Sequence, residues 1–370
     1  MSTGLKQKGL KLKKYTDKNV LDAARERISF IFDEFKDINV SVSSGKDSCV
    51  LYYLVLHEAI KRNRKFVCFF LDQEAEYIAT IEIIRNLMSN NKKYVIPAWY
   101  QVPIYMTNAT SYSDYFLYAW GKNEKWMREK DINSIHEIKE EYPRRFYNFF
   151  GWYEGKNPNT AYLVGLRADE GITRYRAVTK YSGYKGLKWS TITNNVNKFY
   201  PIYDWTVYDV WKFIYDFDIK YNKIYDLMWL DNHSIYSKMR VSNLIHEKSY
   251  KCLVDLPRYE PETYDKLCRR ISGISTASRY ASEKLIFSNK QLPKHYQTWK
   301  EFRDFLLFNI PNPEHQKRFI DRYNKQKQNE DMFQRQVGQL LLNDYESNRP
   351  FNTKQTEKTI KLKEKWWNIL

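Results

Sequence analysis

Apolar residues recur every three or four positions between Asn19 and Lys36, at Val20, Leu21, Ala24, Ile28, Ile31, Phe32 and Phe35, which predicts an amphipathic helix. A short β-branched segment over 38–43 follows and is broken by Ser43-Ser44-Gly45-Lys46-Asp47-Ser48. A second helix starts at once and runs through Cys49, Val50, Leu51, Leu54, Val55 and Ile60. The run Phe66-Val67-Cys68-Phe69-Phe70-Leu71 meets no polar position until Asp72, the pattern of a parallel strand buried on both faces. A helix over 75–88 and strands over 94–100, 161–166 and 199–202 continue the alternation. Strands alternating with helices predict an α/β fold with a doubly wound, mostly parallel five-stranded sheet.

Two regions depart from that rhythm. Residues 103–158 carry many aromatics (Tyr105, Tyr112, Tyr115, Phe116, Trp120, Trp126, Trp152) without clean periodicity, and read as an insertion over the sheet edge. Beyond Tyr208 the chain reads as helical, with clear segments at 209–215 and 261–271 and more over 294–345, interrupted at Pro311 and Pro313. No internal repeat is visible. The expected organisation is a basic flexible arm over 1–18, an α/β domain over 19–240 and a mostly helical C-terminal domain over 241–370. The last residues, 362–370, mix lysines with Trp366 and Trp367 and read as a docking tail.

Composition adds bounds. The 370 residues are 43% hydrophobic and 17% aromatic, with only 12 Gly and 11 Pro, which excludes collagen-like and low-complexity chains. No apolar run approaches the ~18 residues of a membrane span. The first residues are lysine-rich and lack the apolar core of a secretory signal. Four scattered cysteines, Cys49, Cys68, Cys252 and Cys268, form no Cys-x-x-Cys pair, and a reducing, cytoplasmic setting is the expectation. The formal charge of +17 has two readings: a polyanionic partner such as nucleotide or nucleic acid, or drift toward Lys, Asn, Ile and Tyr.

The segment 43–48 carries the most chemistry. It joins a strand to a helix, and its small residues let backbone N–H groups turn toward an anion at a positive helix terminus. Lys46 adds a mobile charge, and the Ser48 hydroxyl offers a donor to a phosphate oxygen. The Walker A pattern is not met, because Asp47 separates Lys46 from Ser48.

These residues resemble the S-G-G-x-D-S pyrophosphate loop (PP-loop) of the adenine nucleotide α-hydrolase-like superfamily, with Ser44 where glycine is usual. A left-handed backbone at that position would cost serine about 1 kcal/mol relative to glycine. Three further segments narrow the resemblance to the phosphoadenosine phosphosulfate (PAPS) reductase-like family. They are Asp72 at the end of the second strand, Gly165-Leu166-Arg167-Ala168-Asp169-Glu170-Gly171-Ile172-Thr173-Arg174, and the stretch from Tyr200 through Pro201, Asp204 and Trp205 to Asp209-Val210-Trp211. Gly171 replaces a serine expected there. Tyr221-Asn222-Lys223-Ile224-Tyr225-Asp226, Met239-Arg240-Val241, Glu260-Pro261-Glu262-Thr263-Tyr264 and Arg270-Ile271-Ser272-Gly273 then resemble the subfamily called immunoglobulin-binding regulator A, a co-activator of prophage gene expression.

The resemblance implies ATP or PAPS as ligand. Ser43, Ser44, Gly45, Lys46, Asp47 and Ser48 would hold the phosphates, and Asp72 would contact ribose, adenine-side groups or a metal. Arg167 and Arg174 would clamp a second anion, the alternative being ion pairs with Asp169 and Glu170. Lys46, Asp47 and Arg167 are the expected catalytic groups. With ATP as substrate, Mg²⁺ would neutralise the pyrophosphate leaving group. Asp204 is either a helix N-cap or a reacting group, and Trp205 and Trp211 are expected in the core. No E-C-G-x-H cysteine motif of a thiol-dependent reductase is present, and zinc at Cys252, Cys268 and His246 has only their scattered spacing behind it.

Two function classes remain open. One is an enzyme that activates an acceptor with ATP or handles a sulfonucleotide. The other is a non-catalytic nucleotide-binding regulator acting with a ParB-like, DNA-associated partner, as in the resembling subfamily. The basic segments at 1–18, 167–188 and 354–365 offer contacts to nucleic acid, but no sequence-reading motif accompanies them.

Overall fold

The structure is a computed structural model and describes residues 16–111, 115–179, 183–235, 239–281, 289 and 291–347. Most of the basic arm, Tyr112 and the tail with Trp366 and Trp367 lie outside the described residues. In chain order the elements are α1 (Val20–Glu34), β1 (Ile38–Ser41), α2 (Lys46–Lys61), β2 (Phe66–Leu71), α3 (Ile78–Ser89), β3 (Val95–Tyr100), β4 (Ile104–Thr107), β5 (Phe116–Ala119), α4 (Phe146–Gly155) and β6 (Ala161–Val164). Then come α5 (Ile172–Thr179), β7 (Ser190–Thr193), β8 (Val196–Phe199), α6 (Val207–Asp216), α7 (Ile224–Leu230), α8 (Leu256–Tyr259), α9 (Pro261–Arg270), α10 (Ile274–Tyr280), α11 (Trp299–Phe308), α12 (Pro313–Tyr323) and α13 (Glu330–Leu340).

The central sheet has the order β3-β2-β1-β6-β8-β7. Five strands are parallel, as the alternation predicts, and β7 adds a sixth, antiparallel edge. The last parallel strand lies at 196–199, ahead of the expected 199–202. Asn194 and Asn195 both adopt positive φ (51° and 62°), which closes a two-residue hairpin between β7 and β8. Pro201, without an amide donor, cannot extend the ladder. Chain order runs outward from β1 to β3 on one side and resumes at β6 on the other, so the topological switch lies between β1 and β6.

Burial on both faces explains the apolar run in β2. Phe66, Cys68 and Phe70 join one core with α1, α2, α3 and α6, while Phe69 and Leu71 join a second core on the opposite face. Trp205 is buried in the first, and Trp211 packs against both. The aromatic insertion supplies much of the second core. It covers one sheet face, where Phe69 meets Phe150 and Tyr153 of α4 at ring-centroid distances of 5.4 and 4.2 Å and Tyr100 meets Phe149 at 5.3 Å. It also meets the β3 edge, where the Ile135 amide donates to the Trp99 carbonyl (2.6 Å) and the Ile135 carbonyl accepts from the Gln101 amide (3.0 Å). The same core takes in Met239, Val241, Leu244, Leu256, Leu267, Ile274 and Leu342, so the C-terminal helices share apolar packing with the sheet. A smaller cluster of Leu307, Ile310, Phe319, Tyr323 and Leu340 ties α11, α12 and α13 together. Among the described residues no helix is long and apolar enough to cross a membrane.

One buried carboxylate joins three of these parts. Glu74, fully buried after β2, accepts from the amides of Trp120 (2.9 Å) and Met127 (3.1 Å) in the insertion and from Arg270 Nε of α9 (2.8 Å). Glu74→Ala strands two buried amides and the Arg270 Nε, while the Arg270 terminal nitrogens keep Glu124 and the Tyr118 carbonyl. The substitution is expected to lower the unfolding free energy by about 3 kcal/mol. Denaturant unfolding measures this, and a loss below about 1 kcal/mol counts against the anchoring role.

Candidate functional site

The turn after β1 is held in an uncommon backbone state. Ser44 sits at φ 57°, the left-handed region that the glycine of the resembling loop would occupy more easily. What offsets the cost is a buried hydroxyl network: Ser44 Oγ donates to Thr80 Oγ1 (3.0 Å), and Asn222 Nδ2 donates to both Ser44 Oγ and Thr80 Oγ1 (3.2 Å each). Ser48 closes the turn, accepting from the Ser43 amide (3.1 Å) and donating to the Gly45 carbonyl (2.9 Å). Gly45 caps α2 in ordinary extended geometry. Among the described residues the amides of Asp47 and Ser48, in the first turn of α2, make no hydrogen bond. Such orphan donors at a helix N-terminus favour an anion.

Side chains complete the charge pattern. Lys46, Asp47 and Arg167 are 4%, 9% and 5% exposed. Lys46 Nζ donates to Asp47 Oδ2 (3.1 Å), while Arg167 Nε pairs with Asp47 Oδ1. The terminal nitrogens of Arg167 have no hydrogen-bond partner among the described residues, so the fork that suits phosphate is unused. Arg167 reaches the loop because Gly165 precedes it. A β-carbon on Gly165 would stand 2.9 Å from the Asp47 carbonyl oxygen and 3.0 Å from the Ser48 nitrogen. The structure therefore brings Ser43, Ser44, Gly45, Lys46, Asp47, Ser48 and Arg167 together where the loops after β1 and β6 flank the switch point.

Other expected positions lie elsewhere or are engaged. Arg174, on α5, has a half-exposed side chain paired with Glu170 at 3.1 Å, the simpler of its two alternatives. Asp72 is fully buried and accepts four hydrogen bonds, from Trp99 Nε1 (2.9 Å), Gln101 Nε2 (2.9 Å), Arg128 (2.5 Å) and the Glu74 amide (3.0 Å). Those partners come from β3 and the residue after it, from the insertion and from the turn after β2, so its carboxylate anchors structure, with both oxygens engaged. Asp204 neither caps a helix nor faces the loop: Arg27 of α1 grips it through two hydrogen bonds of 2.8 and 2.6 Å. Thr206 is the N-cap, in a capping box with Asp209.

Two supporting residues escaped the motif search for site residues. Asn222 fixes Ser44, and the Tyr225 hydroxyl accepts from the Lys46 amide at 3.1 Å. Both belong to the Tyr221–Asp226 segment, whose signal was a family resemblance without a role.

A divalent cation finds no fitting donors at the loop, since both Asp47 oxygens face cations and Asp72 is saturated. Among the described residues one group has metal-ligand geometry, Asp231, His233 and Asp255. There Arg258 donates to both carboxylates (2.7–2.9 Å) and Tyr259 to Asp231 (2.6 Å), which engages the oxygens a metal would need. Cys252, Cys268 and His246 do not come together as a metal group among those residues.

An open α/β sheet with buried cations and a turn whose amides meet no partner among the described residues at its switch point defines the class. The chain belongs to the phosphoadenosine phosphosulfate reductase domain family, whose model matches residues 37–231, just over half the chain. A domain of unknown function, DUF3440, matches residues 234–362. A curated relative, the uncharacterized protein YbdN of Escherichia coli (strain K12), is 27% identical over 313 residues, 79% of this chain and 76% of the relative. Among solved structures, PAPS reductase from Candida auris in a phosphate complex matches 55% of this chain and 84% of its own at 12% identity and TM-score 0.34. Candida glabrata FMN adenylyltransferase with FMN and the ATP analogue AMPCPP matches 61% of each chain at 14% identity and TM-score 0.36.

Two outcomes follow from this geometry. Gly165→Ala should push the loop backbone away from β6 and weaken pyrophosphate binding at least tenfold, read by calorimetry; unchanged affinity would remove the close-approach argument. Glu76, 4% exposed beside Asp72, has its carboxyl pushed up to about 8, first by burial and then by that neighbour. A raised folded-state value means that stability is lost as pH rises from the ordinary carboxyl range through about 8. Glu76→Gln should therefore raise the melting temperature at pH 8 and leave it nearly unchanged at pH 5.

Proposed function

We propose that the chain binds the phosphate groups of an adenine nucleotide, ATP or PAPS, in the crevice between the loops after β1 and β6. The observation that carries this is the Lys46–Asp47–Arg167 cluster, which joins two loops at the switch point and leaves the amides of Asp47 and Ser48 and the Arg167 terminal nitrogens undirected within the protein. Membership of the PAPS reductase domain family supports the same reading.

With ATP, the chemistry these donors suit is transfer to an acceptor. The acceptor's nucleophile forms a bond to the α-phosphorus, the α–β bridging bond breaks, and its electron pair leaves with pyrophosphate. Lys46, Arg167 and the two amides would stabilise the negative charge as it moves onto the leaving group. Asp47 would position the two cations between which a phosphate is held. Thiol-dependent reduction is disfavoured by the cysteines. Burial raises the Cys49 and Cys68 thiols, with Cys49 pushed up to about 12, and Cys252 is likewise pushed up to about 12, so thiolate is scarce at neutral pH. The second reading, a nucleotide-binding regulator without turnover, is the role that the resemblance to immunoglobulin-binding regulator A implies.

ATP or PAPS should raise the thermal midpoint of the full chain, and Lys46→Ala combined with Asp47→Ala should abolish the shift. No stabilisation by any adenine nucleotide overturns the proposal. Pyrophosphate release from ATP separates the two readings, since binding without release in the presence of candidate partners supports the regulator.

A further inference from the structure

Tyr225 lies on α7, outside both loops, yet its phenol oxygen touches the phosphate loop. It accepts from the Lys46 amide at 3.1 Å and would stand 3.7 Å from a β-carbon on Gly45. Lys46 Nζ lies 5.4 Å from the centre of the same ring. The side chain is 2% exposed, and burial holds the phenol well above its usual range, so it keeps its proton at neutral pH. That proton has no acceptor among the described residues. A buried hydroxyl that accepts from an amide but meets no protein acceptor for its own proton is uncommon among buried polar groups.

We propose that the Tyr225 hydroxyl is a phosphate-binding donor, contributed by α7 to the anion held between the β1 and β6 loops. This rests on the nucleotide-binding reading above. The hydrogen bonds then run in one direction: the Lys46 amide donates to the phenol, and the phenol donates to a phosphate oxygen. The amide polarises the hydroxyl and strengthens it as a donor. A neutral donor also adds a bond without adding charge, which suits a site that already holds two cations against one carboxylate. Asn222, three residues earlier, pins Ser44, so one short segment both shapes the loop and completes its donor set.

The test uses the full chain and inorganic pyrophosphate. Tyr225→Phe keeps the ring, with its edge contact to Trp211 at 5.4 Å, and removes only the hydroxyl. Calorimetry should show pyrophosphate binding roughly tenfold weaker than in the parent chain, the size expected for one hydrogen bond to a charged group. Equal or tighter binding by Tyr225→Phe, with the parent chain binding normally, overturns the role of Tyr225 and leaves the nucleotide reading standing. Absence of binding by the parent chain overturns both. Should Tyr225→Phe not fold, hydrogen exchange on the parent chain decides: protection of residues 222–230 together with 43–48 on adding pyrophosphate supports the proposal, and unchanged exchange over 222–230 overturns it.

Discussion

Asp47 stands between two cations that the fold has taken out of water. Burying Lys46 or Arg167 alone would cost several kcal/mol, and a shared carboxylate makes their burial tolerable. The constraint spreads outward. Because Arg167 must reach Asp47 from the end of β6, the β6 loop has to press against the first turn of α2, and only a residue without a side chain fits at Gly165. Because that turn must present its amides, Ser44 has to adopt a left-handed backbone, and its hydroxyl has to be tied to Thr80 and Asn222. The 43–48 loop is thus held from three elements, β6, α3 and the segment before α7.

Features governed by local pattern could be read in the sequence. The strand–loop–helix at 43–48, the doubly buried run in β2 and the amphipathic α1 each declare themselves through spacing alone. Arg167 was singled out by the resemblance of its segment and its place after a strand, and the structure brings it to Asp47 of the loop. What could not be read depends on partners far along the chain. Asp72 has the placement of a ligand-facing acid, but Trp99, Gln101 and Arg128 occupy its oxygens, and nothing local to Asp72 discloses them. Asp204 precedes a helix and looks like its cap, until Arg27, 177 positions away, claims it. The β7–β8 hairpin was missed for a nearer reason: Asn194-Asn195 is a turn signal, and the apolar stretch after it drew the strand too late.

The charge of +17 takes a definite local form at the site. Lys46 and Arg167 against Asp47 leave one net positive charge, fewer than the phosphates of ATP or PAPS carry. For the proposed ligand, affinity there would not come from charge excess alone. It would come from the number and direction of donors: two orphan amides, the Arg167 fork and Lys46. Such an array discriminates by geometry, because a phosphoryl group offers several oxygens on one centre while a carboxylate offers two in a plane.

The placement of Asn222, Ile224 and Tyr225 also links the site to the C-terminal half. Ile224, Tyr225 and Met228 are buried in the core shared with Met239, Val241, Leu244 and the helices from α8 to α10. The position of α7 is therefore set by packing against residues after 231, where the PAPS reductase domain match ends, and the loop in turn leans on the segment that leads into α7. In this chain the sheet alone does not hold the 43–48 loop in place. The helical region after it has a structural stake in the site, which gives the two matched segments a physical reason to occur in one polypeptide.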